Sequence, residues 1–355
     1  MKKIRSRTFD KFVTFGMVII AFAVIQILMA TGVITSSAFK GLLVPVSIYI
    51  LLAVSLNLVV GISGELSLGH AGFMCIGAFI GSIFSLSTME AIPNVWIRFP
   101  LALIIGGLVA AIMGFLIGIP VLRLQGDYLA IVTLAFGEII KNVFNNLYLS
   151  YDANGVYMAL SPEKFNSYSI DLATKHDIVK GAMGISGTPK NTTFTICFVV
   201  ILIALFVMLN LIDSKTGRSI KAARDNRIAA EAMGINVTKA KMTAFVVSAF
   251  FAGVAGVLYS HNLTQLNAVK FDYNTSILIL VFVVLGGMGS MRGSIIAATI
   301  LYALPEALRG LKDYRMLLYA IVLIAMMLLN NNEQFKIFKR KFSIKEIRNR
   351  KGGKA

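Results

Sequence analysis

Ionisable side chains are scarce in the apolar stretches of this chain, so the few that occur there are the first candidates for chemistry. Glu65, Ser67 and His70 fall in Gly61-Ile62-Ser63-Gly64-Glu65-Leu66-Ser67-Leu68-Gly69-His70-Ala71-Gly72. Such groups are costly beside apolar spans and tend to face a cavity or a partner. Two readings stand for Glu65 and His70: they line a pathway, where they can pair with each other, or they sit at a membrane interface close to water. Glu138 and Lys141 are three apart on one helix face, a spacing that allows an ion pair on a pathway or near an outer interface. Glu306, after Pro305, stands in the same relation to Arg309, and Gln26 can hydrogen-bond across helices. None of the three acids falls clearly in mid-span, which argues against gradient-driven coupling. His70, His176 and His261 are scattered without metal-ligand spacing, and Cys75 and Cys197 lie inside apolar runs. Neither a metal site nor an embedded enzyme centre is expected.

The elements that must hold these groups are membrane spans. Of 355 residues, 57% are hydrophobic and only 14% charged, with a mean hydropathy of +0.79. That charge is too little to cover a soluble protein of this size. Apolar segments recur near 12–31, 42–60, 66–86, 100–119, 128–149, 194–212, 243–262, 275–290, 294–309 and 315–330, each close to the length needed to cross a bilayer. The expected fold is an all-α polytopic membrane protein of about eight to ten transmembrane helices. The segments at 61–86 and 275–293, rich in Gly and Ser, are candidates for broken or re-entrant helices.

The net charge of +17 is concentrated rather than spread, with about 21 of the 34 Lys and Arg in three stretches. These are the N-terminus, the loop from Lys215 to Lys241, and the tail from Lys336 to Lys354. Ten crossings place all three on one side, as the positive-inside rule asks, although Arg309, Lys312 and Arg315 then fall on the other. Anionic lipid attracts such clusters, and no separate basic domain exists to bind nucleic acid. The apolar run from Phe12 is too long for a signal-peptide core and reads as an uncleaved first span. The organisation is therefore a basic N-terminus (1–11), a transmembrane domain (12–330) and a basic tail (331–355). Two long loops interrupt the domain, one at 150–193 on the outer side and one at 213–241 on the inner. The outer loop reads either as a small folded cap or as a flexible insertion.

Gly286, Gly287 and Gly289 lie in Leu285-Gly286-Gly287-Met288-Gly289-Ser290-Met291-Arg292-Gly293-Ser294, the counterpart in the second half of the segment around Gly64. Paired interruptions of this kind point to an internal two-half repeat with a transport pathway between the halves. The other reading is close helix packing, which the spacing of Gly77 and Gly81 also fits.

The loop from Thr216 to Asn236 is Ala-rich, with Ile220, Ala223, Ile228 and Ala232 among its charges, and predicts one short helix that Gly234 ends. It reads as a grip for a soluble partner or as a basic helix resting on lipid. Its pattern, Thr216-Gly217-Arg218, Ala223-Arg224-Asp225-Asn226 and Ala229-Ala230-Glu231-Ala232-Met233-Gly234-Ile235-Asn236-Val237, resembles that of branched-chain amino acid ABC transporter permeases of the LivM subunit type. Four further blocks match in order: Gly64 to Phe73, Gly126 to Leu134, Phe136 to Ile139 and Val284 to Ser290. Together they cover most of residues 45–330.

The resemblance implies a permease subunit of an importer for leucine, isoleucine and valine, or for related cargo such as urea, short amides or other amino acids. It implies that Arg224, Ala229, Ala230, Glu231 and Gly234 couple the chain to an ATPase, leaving Glu65, Ser67, His70, Glu138, Gly286, Gly287 and Gly289 as pathway candidates. It implies four kinds of partner: a second related permease, two ATP-binding subunits, an extracytoplasmic solute-binding protein and membrane lipid. The chain has no Gly-x-x-x-x-Gly-Lys-Ser/Thr phosphate loop, so it is not expected to be an enzyme or to bind a cofactor, and ATP and Mg belong to the partners. The expected location is the bacterial plasma (inner) membrane, multi-pass, with both termini cytoplasmic.

Overall fold

The computed structural model describes residues 2–31, 37–124, 126–152, 155–166, 168, 176–308 and, beyond these, 314, 317, 320–324 and 328. Arg309, most of the segment 315–330 and the tail 331–355 lie outside the described residues. Seven described helices are long and apolar enough to cross a membrane, so the chain is a multi-pass membrane protein.

The elements follow the apolar runs closely. In chain order they begin with α1 (Lys2–Ala30), α2 (Ser37–Asn57), a π-helical turn (Leu58–Ser63), α3 (His70–Ser87), α4 (Val95–Val121) and α5 (Asp127–Asn145). After a hairpin of short strands come α6 (Pro162–Asn166), α7 (Phe194–Asp213), α8 (Lys215–Asp225), α9 (Arg227–Ala232), α10 (Val237–Ser260), α11 (Tyr273–Gly286) and α12 (Met291–Ala307). Side-chain caps set several starts: Asn94 accepts the Trp96 N–H at 3.0 Å, and Asp272 accepts that of Thr275 at 2.9 Å. These bonds satisfy backbone donors that a helix end leaves open.

The packing centre is α3, α4 and α10. A side chain on Gly77 would overlap the Gly253 backbone, and one on Gly253 would meet Ala110 Cβ at 2.5 Å. With no water between helices to drive association, small residues let the backbones touch and gain dispersion contacts. Helix α1 joins α7 by other means. Phe22 stacks on Phe198 at 3.8 Å between centroids, Gln26 donates to Thr195 Oγ1 at 3.3 Å, and Lys11 pairs with Asp213 at 2.8 Å.

The region around 150–193 contains a folded cap in its described part. Strands β1 (Tyr148–Asp152), β2 (Gly155–Ala159) and β3 (His176–Lys180) form an antiparallel sheet in the order β2-β1-β3. A two-residue β4 (Ile185–Ser186) pairs with β5 (Gln265–Leu266), tying the cap to the turn after α10. Thr188 Oγ1 reinforces this by donating to the Leu263 carbonyl at 2.6 Å.

His261, just past α10, is fully buried, packs edge-on against Phe99 and donates from Nδ1 to the Val257 carbonyl. Burial first, and the nearby Arg98 guanidinium second, hold its pKa down at about 4. The unfolded chain would take up a proton at this group near pH 6.5, before the folded one does. This group therefore contributes stability above that pH, and the contribution is lost as pH falls through 4. Thermal unfolding of His261→Phe should depend less on pH between 6.5 and 4 than that of the parent chain. Equal pH dependence would show that the burial of this imidazole does not matter.

The last turns of α12, from Ile300, belong to a second compact unit.

Candidate coupling and translocation site

The site is best assembled from α8 outward. Ser214 caps α8 by accepting the Gly217 N–H at 3.1 Å, and Asn226 caps α9 by accepting that of Ala229 at 3.0 Å. The single helix expected over this stretch is therefore two. Asn226 adopts an extended conformation (φ −155°, ψ 110°) and offers the chain a new helix start. Gly234 ends α9 in the left-handed region at φ +76°. Ile235 N–H reaches the Ala230 carbonyl at 3.0 Å and Gly234 N–H the Glu231 carbonyl at 2.9 Å, the paired bonds of a Schellman stop.

Ala223, Ala230 and Val237 are buried against one another, with Ala222 and Ile235 beside them. The arm thus has a small core of its own. Ala229, Glu231 and Gly234 are exposed, and Glu231 pairs with Arg227 at 2.9 Å. Ile228 and Met233 are each 81% exposed, a costly arrangement for large apolar side chains unless something covers them.

Arg224 turns back toward the membrane helices. Its Nη1 donates to the Gly61 carbonyl at 2.9 Å, while Nε and Nη2 hold Asp225. Its stem lies over Gly64, where a Cβ would sit 2.5 Å from the Arg224 Cγ. The arm is thereby fastened to the first interrupted segment.

That interruption has a defined anatomy. The π-turn ends at Gly64 (φ +77°), residues 64–69 are irregular, and α3 starts at His70. Glu65 and His70 do not pair with each other. Glu65 pairs with Lys241 of α10, and His70 Nε2 is 2.8 Å from Ser55 Oγ. Ser67 is buried, and the next N–H, of Leu68, donates to Thr133 Oγ1 of α5 at 3.0 Å.

The second interruption docks on the first. Gly287 and Gly289 take positive φ angles of 93° and 82°, and Gly286 packs against the Gly293 backbone. Asn57 joins the two segments: its Oδ1 accepts the Gly289 N–H at 2.8 Å and its Nδ2 donates to Ser294 Oγ at 3.0 Å. Gly61 lies so close to Gly289 that any side chain there would overlap its backbone.

Glu138 belongs elsewhere. It pairs with Lys141, as their spacing allows, and accepts the Tyr273 N–H at 3.1 Å, at the start of α11. Gly286 ends that same helix, about 20 Å away at 1.5 Å per residue. Of the pathway candidates, Glu65, Ser67, His70, Gly286, Gly287 and Gly289 belong to the two interruptions and their borders, and Glu138 does not.

Asn57, Lys241 and Thr133 were not picked out from the sequence. Asn57 had a signal, a polar side chain ending an apolar run just before Gly61. Lys241 was visible only as one charge in a basic loop.

The Glu65–Lys241 pair is almost fully enclosed, and removing one member of such a pair costs about 3–5 kcal/mol because the other charge stays buried. Glu65→Gln should lower the midpoint of thermal unfolding, and Glu65→Gln/Lys241→Met should recover part of the loss. A double variant less stable than the single one would rule out a paired-charge origin.

Two helix interruptions thus dock on each other, and an arm with uncovered apolar tips is fastened to the first of them. A family model described as the permease component of branched-chain amino acid transport systems matches residues 38–329, and the chain belongs to that family. It is 36% identical over 288 residues to the high-affinity branched-chain amino acid transport system permease protein LivM of Salmonella typhimurium, covering 79% of this chain. It is 35% identical over 287 residues to the protein of the same name in Escherichia coli. The match spans 66% of each of these relatives. It is also 24% identical to the permease protein LivH of Salmonella typhimurium, over 72% of this chain and 80% of that one. No solved structure matches the chain.

Proposed function

We propose that this chain is a permease subunit of an ABC importer for leucine, isoleucine and valine in the bacterial plasma (inner) membrane. ATP hydrolysis, with its Mg²⁺, takes place in two separate ATP-binding subunits. A second, related permease completes the membrane part, and an extracytoplasmic binding protein delivers the cargo. The names of the LivM and LivH relatives support this reading. The three basic clusters, which ten crossings would put on one side, support cytoplasmic termini.

The observation that carries the coupling proposal is the arm α8–α9, with Ile228 and Met233 uncovered on it and Arg224 holding Gly61 beneath it. Closure of the ATPases would push on α9, and Arg224 would pass the displacement to the first interruption. Asn57 would carry it on to the second. The two arrangements of these segments would then open the pathway to one side or the other, biased by the ATPases' preference for one state. Ala230 contributes as part of the arm's core, and Ala229, Glu231 and Gly234 lie on its exposed side.

The test is uptake of labelled leucine into proteoliposomes containing this chain, its second permease and the ATPases, with the binding protein supplied on the outer side. ATP-dependent accumulation that branched-chain competitors suppress is expected. Uptake without ATP would sink the importer reading, and accumulation of urea or an amide in place of leucine would move the cargo assignment.

A further inference from the structure

The seam between α3, α4 and α10 is closed by small side chains along its middle and turns polar at the cap end. Gly77 lies on the Gly253 backbone and Gly81 on Val257, so α3 and α10 run parallel and meet once per turn. The next step brings Ser85 level with His261. Gly256 meets Met74 and Ala78 in the same way, which puts Ser260 level with Ser82. Helix α4 runs the other way, with Gly106 against both Gly77 and Val257. Arg98, two turns before Gly106, reaches the level of Ser85, and there the Phe99 and His261 rings lie 5.0 Å apart between centroids.

Ser82, Ser85, Arg98 and His261 are each no more than 2% exposed. Each also has a buried polar atom with no hydrogen-bond partner among the described residues: the two serine Oγ atoms, Arg98 Nε and His261 Nε2. Arg98 spends its Nη1 on the Met89 and Ile92 carbonyls, at 3.3 and 3.2 Å, and no carboxylate among the described residues pairs with it. The cap covers this end of the seam. Thr192 Oγ1 donates to the Leu258 carbonyl at 2.9 Å, and the Thr192 N–H reaches the His261 carbonyl at 3.4 Å. Asn191, beside it, has another buried and unpartnered atom, Nδ2. Five of the eight such atoms among the described residues thus gather in one place, which points to a shared partner and not to scattered imperfections of packing.

The needs of these atoms identify that partner. Arg98 Nε has a hydrogen to donate. His261 Nδ1 already donates to the Val257 carbonyl, so Nε2 offers a lone pair. The serine hydroxyls can donate and accept. A halide or carboxylate would accept from Arg98 but would face the imidazole lone pair. Water accepts from the one and donates to the other. We propose that the cap end of this seam holds ordered water, which bridges Arg98 Nε to His261 Nε2 and reaches the Ser82 and Ser85 hydroxyls. Buried water of this kind takes about three hydrogen bonds from groups that would otherwise go unpaired. Here it solvates a guanidinium without a counter-charge and joins three helices just where their glycine contacts stop. The site lies apart from the arm and the two interruptions, so it stands independently of the coupling reading.

The test is X-ray radiolytic labelling of the purified full-length chain in detergent, read residue by residue by mass spectrometry. Hydroxyl radicals made from a bound water oxidise the side chains next to it even where bulk solvent cannot reach. His261 should be labelled severalfold faster than Phe73 and Phe79, which are as deeply buried but packed among aromatic rings. Labelling of His261 as slow as that of these two phenylalanines would overturn the proposal. Ser85→Ala gives a second readout. With water present the variant loses a hydrogen bond, so its midpoint of thermal unfolding should fall. In a dry seam it would only shed an unpartnered hydroxyl, and an equal or higher midpoint would count against the water. Replacing chloride by gluconate at constant ionic strength should leave the parent midpoint unchanged. A fall on chloride removal that Ser85→Ala abolishes would assign Arg98 to a halide and overturn the proposal as well.

Discussion

Asn57→Leu should leave an inserted protein whose solute uptake is at least about tenfold lower. Asn57 is fully buried and bonds the second interruption through both ends of its amide. Leucine has similar bulk but no polar atoms, so the Gly289 N–H would be left without its acceptor. An unsatisfied buried donor costs about 1–3 kcal/mol, and every 1.4 kcal/mol is a factor of ten in an equilibrium. The cost falls where the two interruptions meet, so their relative positions should shift before the bundle itself unfolds. Ser294→Ala is the milder comparison, because it leaves the Gly289 bond in place and should keep uptake within about threefold. Labelled-leucine uptake, normalised to the amount of chain in the membrane, checks both. Undiminished uptake by Asn57→Leu would remove this amide from the transport route.

The second large effect is expected at the tip of the arm. Ile228→Glu/Met233→Glu should abolish co-purification with the ATP-binding subunits and leave insertion and monomer stability unchanged. Both side chains already face water, so the isolated chain loses nothing by the change. Covering an apolar side chain of this size is worth about 1.5–3 kcal/mol, so losing two anchors and burying two charges should weaken docking more than a hundredfold. Substitution at Gly234 acts differently. The surroundings there are open, and a larger residue meets only the cost of a left-handed backbone, about 1–3 kcal/mol. Gly234→Leu should therefore fray the end of α9 and reduce uptake without clashing with any neighbour. A doubly charged tip that still captured the ATPases would place the docking surface elsewhere on the arm.

The spans were legible because a bilayer demands length and apolarity, and both can be read directly from composition. Their starts and stops were not. The third apolar run begins near residue 66, but six residues from Gly64 are irregular, and the helix waits until His70. Hydropathy cannot register a π-turn, because Leu58 to Ser63 are as apolar as an α-helix would be. The arm was legible as helix-forming, but the break at Asn226 was not, because such a side chain can cap a new helix as readily as it can interrupt one.

The candidate site was legible in its glycines and hidden in its partners. Paired Gly-rich segments marked the two places where the helices are interrupted. That Glu65 would find Lys241, with about half the chain between them in sequence, depends on how α10 lies against α3. The same holds for Asn57 and Gly289. Glu138 shows the converse, since its helix-face neighbour Lys141 was local and therefore readable.

The backbone contact between Gly77 and Gly253 has a consequence for how the protein is made. Helices α3 and α4 enter the membrane early, with their notched faces open to lipid, and the helix that fills those notches begins only about 115 to 150 residues later. Until α10 arrives the first half has no mate for its closest seam, and either a holding factor or lipid itself must occupy it. A chain stalled before α10 should therefore be the form most exposed to membrane quality-control proteases.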